Sequence, residues 1–173
     1  MNDLLSKYPE EIKTILAKYP SEQKRSAVMP LLFLAQRKEG YIREQALSEI
    51  SQILDIQETE VATLVGFYTL FHDGKTGIYH IQVCTDLCCA LRGSEDFLTG
   101  LCEALEIKPG ETSQDGMVTV EEVKCLAACD KAPMFQVQGK DGISYHENCN
   151  VDNTLEMIQE WRESGTAEQE ETK

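Results

Sequence analysis

Four cysteines arranged in two pairs are the residues of this chain best suited to chemistry. The first pair is Cys84-x4-Cys89 and the second is Cys125-x3-Cys129. Each pair follows a run of residues with the composition of a β-strand. Two thiolates on each of two loops form the ligand set of a [2Fe–2S] cluster, in which each iron takes two protein sulfurs. The sequence therefore predicts an electron carrier.

A structural zinc ion is the main alternative for these cysteines, because zinc knuckles commonly separate their cysteines by about two to four residues. Two features favour iron and sulfide. The residues beside the cysteines are mostly small, which leaves room for bridging sulfides, and a domain of this size needs no metal to fold. A zinc-stapled binding module is the competing class, and unligated thiols are a third interpretation.

Other redox sites fit the sequence less well. The plant-type ferredoxin spacing would need a third cysteine where Arg92 stands. A Rieske centre would need two histidines beside the cysteines, whereas His72, His80 and His146 are not next to either pair. The sequence has no C-x-x-C motif, which argues against a thioredoxin-type dithiol.

The remaining cysteines have plainer interpretations. Cys88 could replace Cys89, because Cys84 and Cys88 also form an x3 pair, and the spacing alone leaves this choice open. Cys102 lies on the apolar face of a predicted helix and is interpreted as a core residue. Cys149 follows His146 without a second half of a metal site and is interpreted as a structural or free thiol.

Composition limits the binding partners and the cellular compartment that the sequence allows. The 173 residues have a net charge of −14, of which −12 falls on residues 76–173. Such an acidic region repels phosphate backbones, so no nucleic-acid partner is expected. The longest apolar run, residues 28–35, is too short to cross a bilayer, so no direct membrane insertion is expected. Seven cysteines without a recognisable export signal indicate a cytoplasmic protein.

The pattern of apolar residues predicts two domains. Residues 1–75 follow helical periodicity and form a helical bundle, with Pro30 causing a kink or restart near Met29. Residues 76–162 alternate between strand and helix patterns, as in an α/β (α+β) domain. Residues 163–173 form an acidic tail that lacks a stripe of apolar residues and are predicted to be disordered.

Several short motifs point to one known family. They are Ala35-Gln36, Gly40-Tyr41, VGFYTLF at 65–71, VCTDLCCALRGS at 83–94, IKPGET at 107–112, Asp115-Gly116 and VKCLAACDKAPM at 123–134. From about Arg25 to Trp161 the chain resembles the small [2Fe–2S] subunit of the NADH dehydrogenase module of NADH:quinone oxidoreductase (complex I). Homologous subunits of NAD-linked hydrogenases and formate dehydrogenases share this resemblance.

The resemblance implies a fold, a ligand set and partners. The fold is an N-terminal helical bundle followed by a thioredoxin-like [2Fe–2S] ferredoxin domain. The family's spacing selects Cys84, Cys89, Cys125 and Cys129 as ligands and makes Cys88 a bystander. The chain would carry one [2Fe–2S] cluster and no catalytic residue, and would have no complete oxidoreductase activity alone.

The partners implied by the family would carry the other redox groups. A flavoprotein subunit would bind FMN and NADH, and a larger iron–sulfur subunit would belong to the same complex. In complex I the assembly would lie at the inner face of the plasma membrane. An equivalent role in a hydrogenase or formate dehydrogenase is the alternative within the redox class.

Two positions and one aromatic group carry further expectations. Ala127 stands where the family usually has glycine, and Pro133 is a candidate for a cis peptide bond by analogy with thioredoxin-like folds. The aromatic and apolar residues on the last predicted helix of the bundle either pack within the protein or contact a partner. These residues are Phe67, Tyr68, Leu70 and Phe71.

Overall fold

The computed structural model describes residues 3–139 and 142–170. The chain forms two units, Met1–Lys75 and Thr76–Lys173. The first is helical and the second combines a four-stranded sheet with helices. The predicted class, a helical part followed by an α/β (α+β) part, is confirmed.

From residue 3 to residue 75, the described part of the helical unit, the chain forms five α-helices and one 3₁₀ segment. These elements are α1 (Asp3–Lys7), α2 (Pro9–Leu16), the 3₁₀ segment (Ser21–Ala27), α3 (Val28–Glu39), α4 (Glu44–Leu54) and α5 (Glu58–Phe67). The predicted restart near Met29 is confirmed, because α3 begins at Val28 after the 3₁₀ segment ends. Pro30 is tolerated there, since its missing N–H falls in the first turn, where backbone donors have no partner within the helix.

Apolar side chains from all five helices or their neighbouring turns form the core of this unit. Two buried polar side chains also connect its segments by hydrogen bonds. Gln36 donates to the carbonyl of Leu70 at 2.8 Å and accepts from the N–H of His72 at 2.9 Å. Glu49 accepts from the N–H groups of Asp3 and Leu4 at the start of α1. Both side chains are almost fully buried, so these bonds satisfy polar atoms that would otherwise be costly to bury.

The second unit is built on a mixed sheet. Its elements are β1 (Tyr79–Cys84), α6 (Leu87–Ala90), α7 (Ser94–Ala104), β2 (Val118–Val123), a 3₁₀ turn (Cys129–Lys131), β3 (Phe135–Gly139), β4 (Gly142–His146) and α8 (Val151–Glu170). The strand order is β2-β1-β3-β4, with β1 parallel to β2 and the other neighbours antiparallel.

The two faces of this sheet have different chemistry. Ile81 and Val83 of β1 belong to an apolar core with residues of α7 and α8, such as Leu101 and Ile158. His80, Gln82 and Cys84 alternate with those residues and therefore point to the opposite face. On that face Gln136 donates to Gln82, which donates to Glu121. Cys84, the last residue of β1, therefore lies on the same face of the strand as the buried polar residues His80 and Gln82.

Helix α8 differs from the sequence prediction at its end. Residues 163–173 were expected to be disordered, but α8 continues to Glu170, and residues 171–173 lie outside the described residues. The side chains of Glu163 and Gln159 bond one turn apart, and the Ser164 hydroxyl bonds to the carbonyl of Glu160. Glu, Gln and Ala have good helix propensity, so a sequence without core-forming residues still continues a helix that the core has started. Among the described residues no helix is both long and apolar enough to cross a membrane.

Candidate metal centre

The sheet brings the starts of two cysteine-bearing loops together. β1 ends at Cys84, which pairs with Val123, the last residue of the parallel strand β2. Parallel strands end at the same edge of a sheet, so the segments that follow β1 and β2 leave the sheet side by side. We refer to residues 84–93 as the first cysteine loop and to residues 124–132 as the second cysteine loop.

The first cysteine loop is regular. Asp86 accepts a hydrogen bond from the N–H of Leu87 at 3.0 Å and caps the short helix α6. The N–H groups of Cys89 and Ala90 then bond to the carbonyl of Asp86 at 2.8 and 2.9 Å. This helical turn directs Cys89 back toward Cys84, and both are 1% exposed. The sequence analysis did not predict α6, because four residues are too few for a periodic signal.

The second cysteine loop is irregular. Cys125 and Ala127 have left-handed backbone angles, with φ of 45° and 59°. Ala127 therefore adopts a left-handed conformation that glycine tolerates better, although it carries a side chain. A 3₁₀ turn begins at Cys129, and the Ala132–Pro133 peptide bond is cis, as expected. Cys125 is exposed and Cys129 is half-buried.

The side chains of the two loops lie close to one another. Cys84 and Cys89 lie within interaction distance of each other, and so do Cys89 and Cys129. The charge of Cys125 acts on Cys129 as well. Buried Ala132 and Met134 pack against Cys84 and Cys89, with Leu126 and Ala128 half-buried beside them. Cys84 and Cys89 therefore share one buried cluster, and Cys129 and Cys125 lie near it.

Backbone donors surround the first of these sulfurs. Burial alone would raise the pKa of Cys84, but N–H groups of Asp86, Leu126 and Cys125, with the thiol of Cys89, donate to its sulfur. Their combined effect lowers the pKa of Cys84 below its ordinary value. The donors come from both loops, so the two loops together build one site that favours a thiolate.

The other thiols of the group hold their protons more firmly. Burial, then the hydrogen bond and charge of Cys84, raises the pKa of Cys89 to about 12. Burial also raises the pKa of Cys129, and the neighbouring Cys88 and Cys125 add to this effect. Of these thiols, Cys84 therefore gives up its proton most readily, and a metal that binds the group must displace the protons of Cys89 and Cys129.

The donor set fits a two-iron cluster. Within residues 3–139 and 142–170, no three His, Cys, Asp or Glu side chains converge as closely as one metal ion requires. A [2Fe–2S] cluster makes no such demand, because each iron takes only two protein sulfurs. Four thiols in two pairs, with N–H donors directed at one sulfur, have the chemistry that the ligands and the outer hydrogen bonds of such a centre require.

The three remaining cysteines lie in different surroundings. Cys88 is exposed, but its side chain lies close enough to that of Cys129 to raise the pKa of Cys129, a proximity that the sequence did not indicate. Cys102 is buried in the core between α7 and the sheet, as predicted. Cys149 packs against the same core, and burial raises its pKa to about 11.

Comparison with known proteins identifies the relatives of this chain. The family model described as thioredoxin-like [2Fe–2S] ferredoxin matches residues 12–162. An NADH-quinone oxidoreductase subunit of Rhizobium meliloti is 40% identical over 153 residues, which cover 88% of each chain. An NADH-quinone oxidoreductase subunit of Thermus thermophilus is 42% identical over 126 residues, which cover 73% of this chain and 70% of the relative. The resemblance predicted from the motifs is confirmed.

A solved structure shows a similar fold within a longer chain. The crystal structure of an NAD+-reducing [NiFe]-hydrogenase in the air-oxidized state aligns with a TM-score of 0.63 and 22% sequence identity. The alignment covers 78% of this chain but only 23% of the hydrogenase chain. At this identity the likeness concerns the fold alone.

Proposed function

Because the chain belongs to the thioredoxin-like [2Fe–2S] ferredoxin family, we propose that Cys84, Cys89, Cys125 and Cys129 hold one [2Fe–2S] cluster. The observation that carries this proposal is the meeting of the two cysteine loops around the sulfur of Cys84. When bound, the cluster supplies a centre that accepts and returns one electron at a time. The role of the chain is then that of an electron-transfer subunit.

The residues around the thiols control how readily that centre is reduced. A bound cluster would gain one negative charge on reduction, and the N–H groups of Asp86, Leu126 and Cys125 would stabilise that charge through the sulfur of Cys84. The net charge of −12 on residues 76–173 opposes the same step. Burial of Cys84 and Cys89 keeps water from one side of the site, whereas exposed Cys125 faces the surface. An electron partner would therefore approach from the second cysteine loop.

The names of the relatives support a place in an NADH dehydrogenase module. We infer that the chain is the iron–sulfur subunit of an oxidoreductase and that it exchanges single electrons with the FMN of a partner flavoprotein. That partner would also bind NADH, and a larger iron–sulfur subunit would receive electrons in the same complex. In a respiratory complex the assembly would lie peripherally at the inner face of the plasma membrane.

The helical unit offers one candidate contact for this partner. Phe67 is 74% exposed at the end of α5 and touches Tyr68 edge to face, whereas Phe71 is buried and packs against Phe33. Phe71 is thus a packing residue, and Phe67 is available to a partner. Phe67→Ala should weaken capture of the flavoprotein in a pull-down without changing the melting temperature. Phe71→Ala is the matched control and should lower the melting temperature.

Metal and sulfide analysis of the full chain tests the proposed cofactor. Protein purified without oxygen should be reddish-brown and contain about two iron and two acid-labile sulfide per chain. Reduction with dithionite should produce the electron paramagnetic resonance signal of one reduced [2Fe–2S] cluster. A colourless protein that contains zinc and no sulfide would instead identify the chain as a zinc-stapled binding module.

Purification of the native complex tests the proposed partners. A flavoprotein and a quinone-reducing complex should accompany the chain. A hydrogenase or formate dehydrogenase subunit in their place would assign the chain to the alternative role within the redox class.

A further inference from the structure

We propose that Thr85 is a positioning residue that holds the two cysteine loops in register through Glu122 and Lys124. We refer to these three residues as the loop bridge. The inference rests on the proposed function, because it concerns the spacing of the thiols that would bind the cluster.

The hydroxyl of Thr85 is bonded on both sides. It donates to Oε1 of Glu122 at 2.6 Å and accepts from Nζ of Lys124 at 2.9 Å. Glu122 and Lys124 also bond to each other. A threonine hydroxyl has one proton to donate and lone pairs to accept, so both of its roles are used. Thr85 as a whole is only 5% exposed.

The loop bridge spans the two positions next to the proposed ligands. Thr85 directly follows Cys84, and Lys124 directly precedes Cys125. The N–H of Thr85 also donates to the carbonyl of Val123 at 3.1 Å, which extends the strand pairing by one residue. The bridge therefore continues the register of the sheet into both loops after the regular ladder ends.

A second bond closes the loops at their far ends. Nε of Arg92 donates to the carbonyl of Ala132 at 3.0 Å. The first cysteine loop is thus tied to the second once beside Cys84 and once beyond Cys129. With both ends connected, the backbone between them has little freedom to change the separation of the sulfurs.

The exposure of the three side chains indicates whether the loop bridge affects the geometry of the loops or the stability of the fold. The side chains of Glu122 and Lys124 are 45% and 65% exposed, so their ion pair by itself contributes little to the stability of the fold. The Thr85 hydroxyl is buried, and its bond to a carboxylate is of the stronger, charge-assisted kind. Loss of the hydroxyl should therefore change the geometry of the loops more than the stability of the chain.

Thr85→Val and Thr85→Ser in the full chain test this inference. Valine keeps the shape and removes the hydroxyl, whereas serine keeps the hydroxyl. With a chelator present, Thr85→Val should lose its cluster about tenfold faster than the unchanged protein, as removal of one charge-assisted hydrogen bond implies. Its reduced resonance signal should also shift or broaden. Thr85→Ser should restore both measurements to within about twofold of the unchanged protein.

Hydrogen exchange in the cluster-free chain gives a second measurement that does not depend on the cofactor. Thr85→Val should speed amide exchange in both cysteine loops, while exchange in α7 stays unchanged. If Thr85→Val does not fold, Glu122→Ala is the alternative variant. It removes the carboxylate that accepts from the Thr85 hydroxyl, and because Glu122 is exposed the fold should tolerate the change. Glu122→Ala should then give the same changes in exchange. An unchanged protein without iron and sulfide would refute the proposed function, even if the exchange result upheld the loop bridge. Equal cluster loss, spectra and exchange in Thr85→Val and the unchanged protein would refute the loop bridge and leave the function standing.

Discussion

The two cysteine loops present the same number of proposed ligands by different means. The first cysteine loop uses a capped helical turn and buries both Cys84 and Cys89. The second cysteine loop uses left-handed backbone at Cys125 and Ala127 and leaves its cysteines nearer the surface. Both loops nevertheless donate N–H groups to the sulfur of Cys84.

This difference shows that the two loops are held in shape by different contacts. Hydrogen bonds within the first loop largely hold it in shape, because the carbonyl of Asp86 accepts from two N–H groups one turn later. The second loop has few such bonds and depends on the strand before it and on its contacts with the first loop. Changes in the second loop should therefore affect the site without unfolding the sheet.

The largest effect should come from removing a proposed ligand of the second loop. Cys125→Ser should abolish the visible chromophore, because one iron would lose a thiolate. Cluster content measured by iron and sulfide analysis and by the reduced resonance signal checks this result. A normal signal in Cys125→Ser would contradict the proposed ligand set.

Cys88→Ala is the matched control for that change. Cys88 lies beside Cys89 and contacts Cys129, yet the family spacing makes it a bystander. This variant should keep its iron, sulfide and signal. Loss of the cluster here would mean that the first loop binds through the other cysteine register.

Cluster assembly should depend strongly on pH. The pKa of Cys89 is raised to about 12 and that of Cys129 is also raised, so protons compete with iron at neutral pH. Each proton displaced on binding makes the apparent binding constant rise about tenfold per pH unit. Reconstitution of the metal-free chain should therefore be more complete at about pH 8.5 than at about pH 7, as visible absorbance would show. Assembly that does not change with pH would mean that the thiols have already lost their protons.

The cap of the first loop should contribute a moderate effect. Asp86→Ala removes the acceptor for the N–H of Leu87 and should destabilise the loop by about 1 kcal/mol. Faster hydrogen exchange at Cys88 to Leu91 would reveal this change. Asp130→Ala in the second loop is the control, because the 3₁₀ turn there has no side-chain cap, and it should leave exchange nearly unchanged.

The smallest effects should have opposite signs in the two loops. Ala127→Gly relieves left-handed backbone strain, and since glycine also gains freedom in the unfolded chain, the net stabilisation should be less than about 1 kcal/mol. Ala90→Gly lies in the helical turn of α6 and should destabilise by about 0.5–1 kcal/mol. Melting temperatures of the two variants should move in opposite directions. A decrease for both would show that the second loop is not strained at Ala127.

Much of the fold was readable from local patterns. Helical periodicity ended near residue 75, Pro30 marked the restart of a helix, and each cysteine pair followed a predicted strand, because side-chain spacing reports which face of an element is buried. The two cysteine pairs favoured a [2Fe–2S] centre, although their spacing also fits a zinc site. The helix over residues 163–170 was missed, because composition does not reveal that a preceding helix will continue.

The details of the centre depend on contacts between residues far apart in the chain. Three contacts join distant parts of the sequence. The N–H groups of Leu126 and Cys125 lie against the sulfur of Cys84. Cys88 lies beside Cys129, and Thr85 bonds to Glu122 of β2. No local pattern reports them, because they arise only after β1 and β2 pair and their ends share one edge of the sheet. The residue types supplied thiols that can bind a metal centre, and the pairing of β1 with β2 brought the two cysteine loops together.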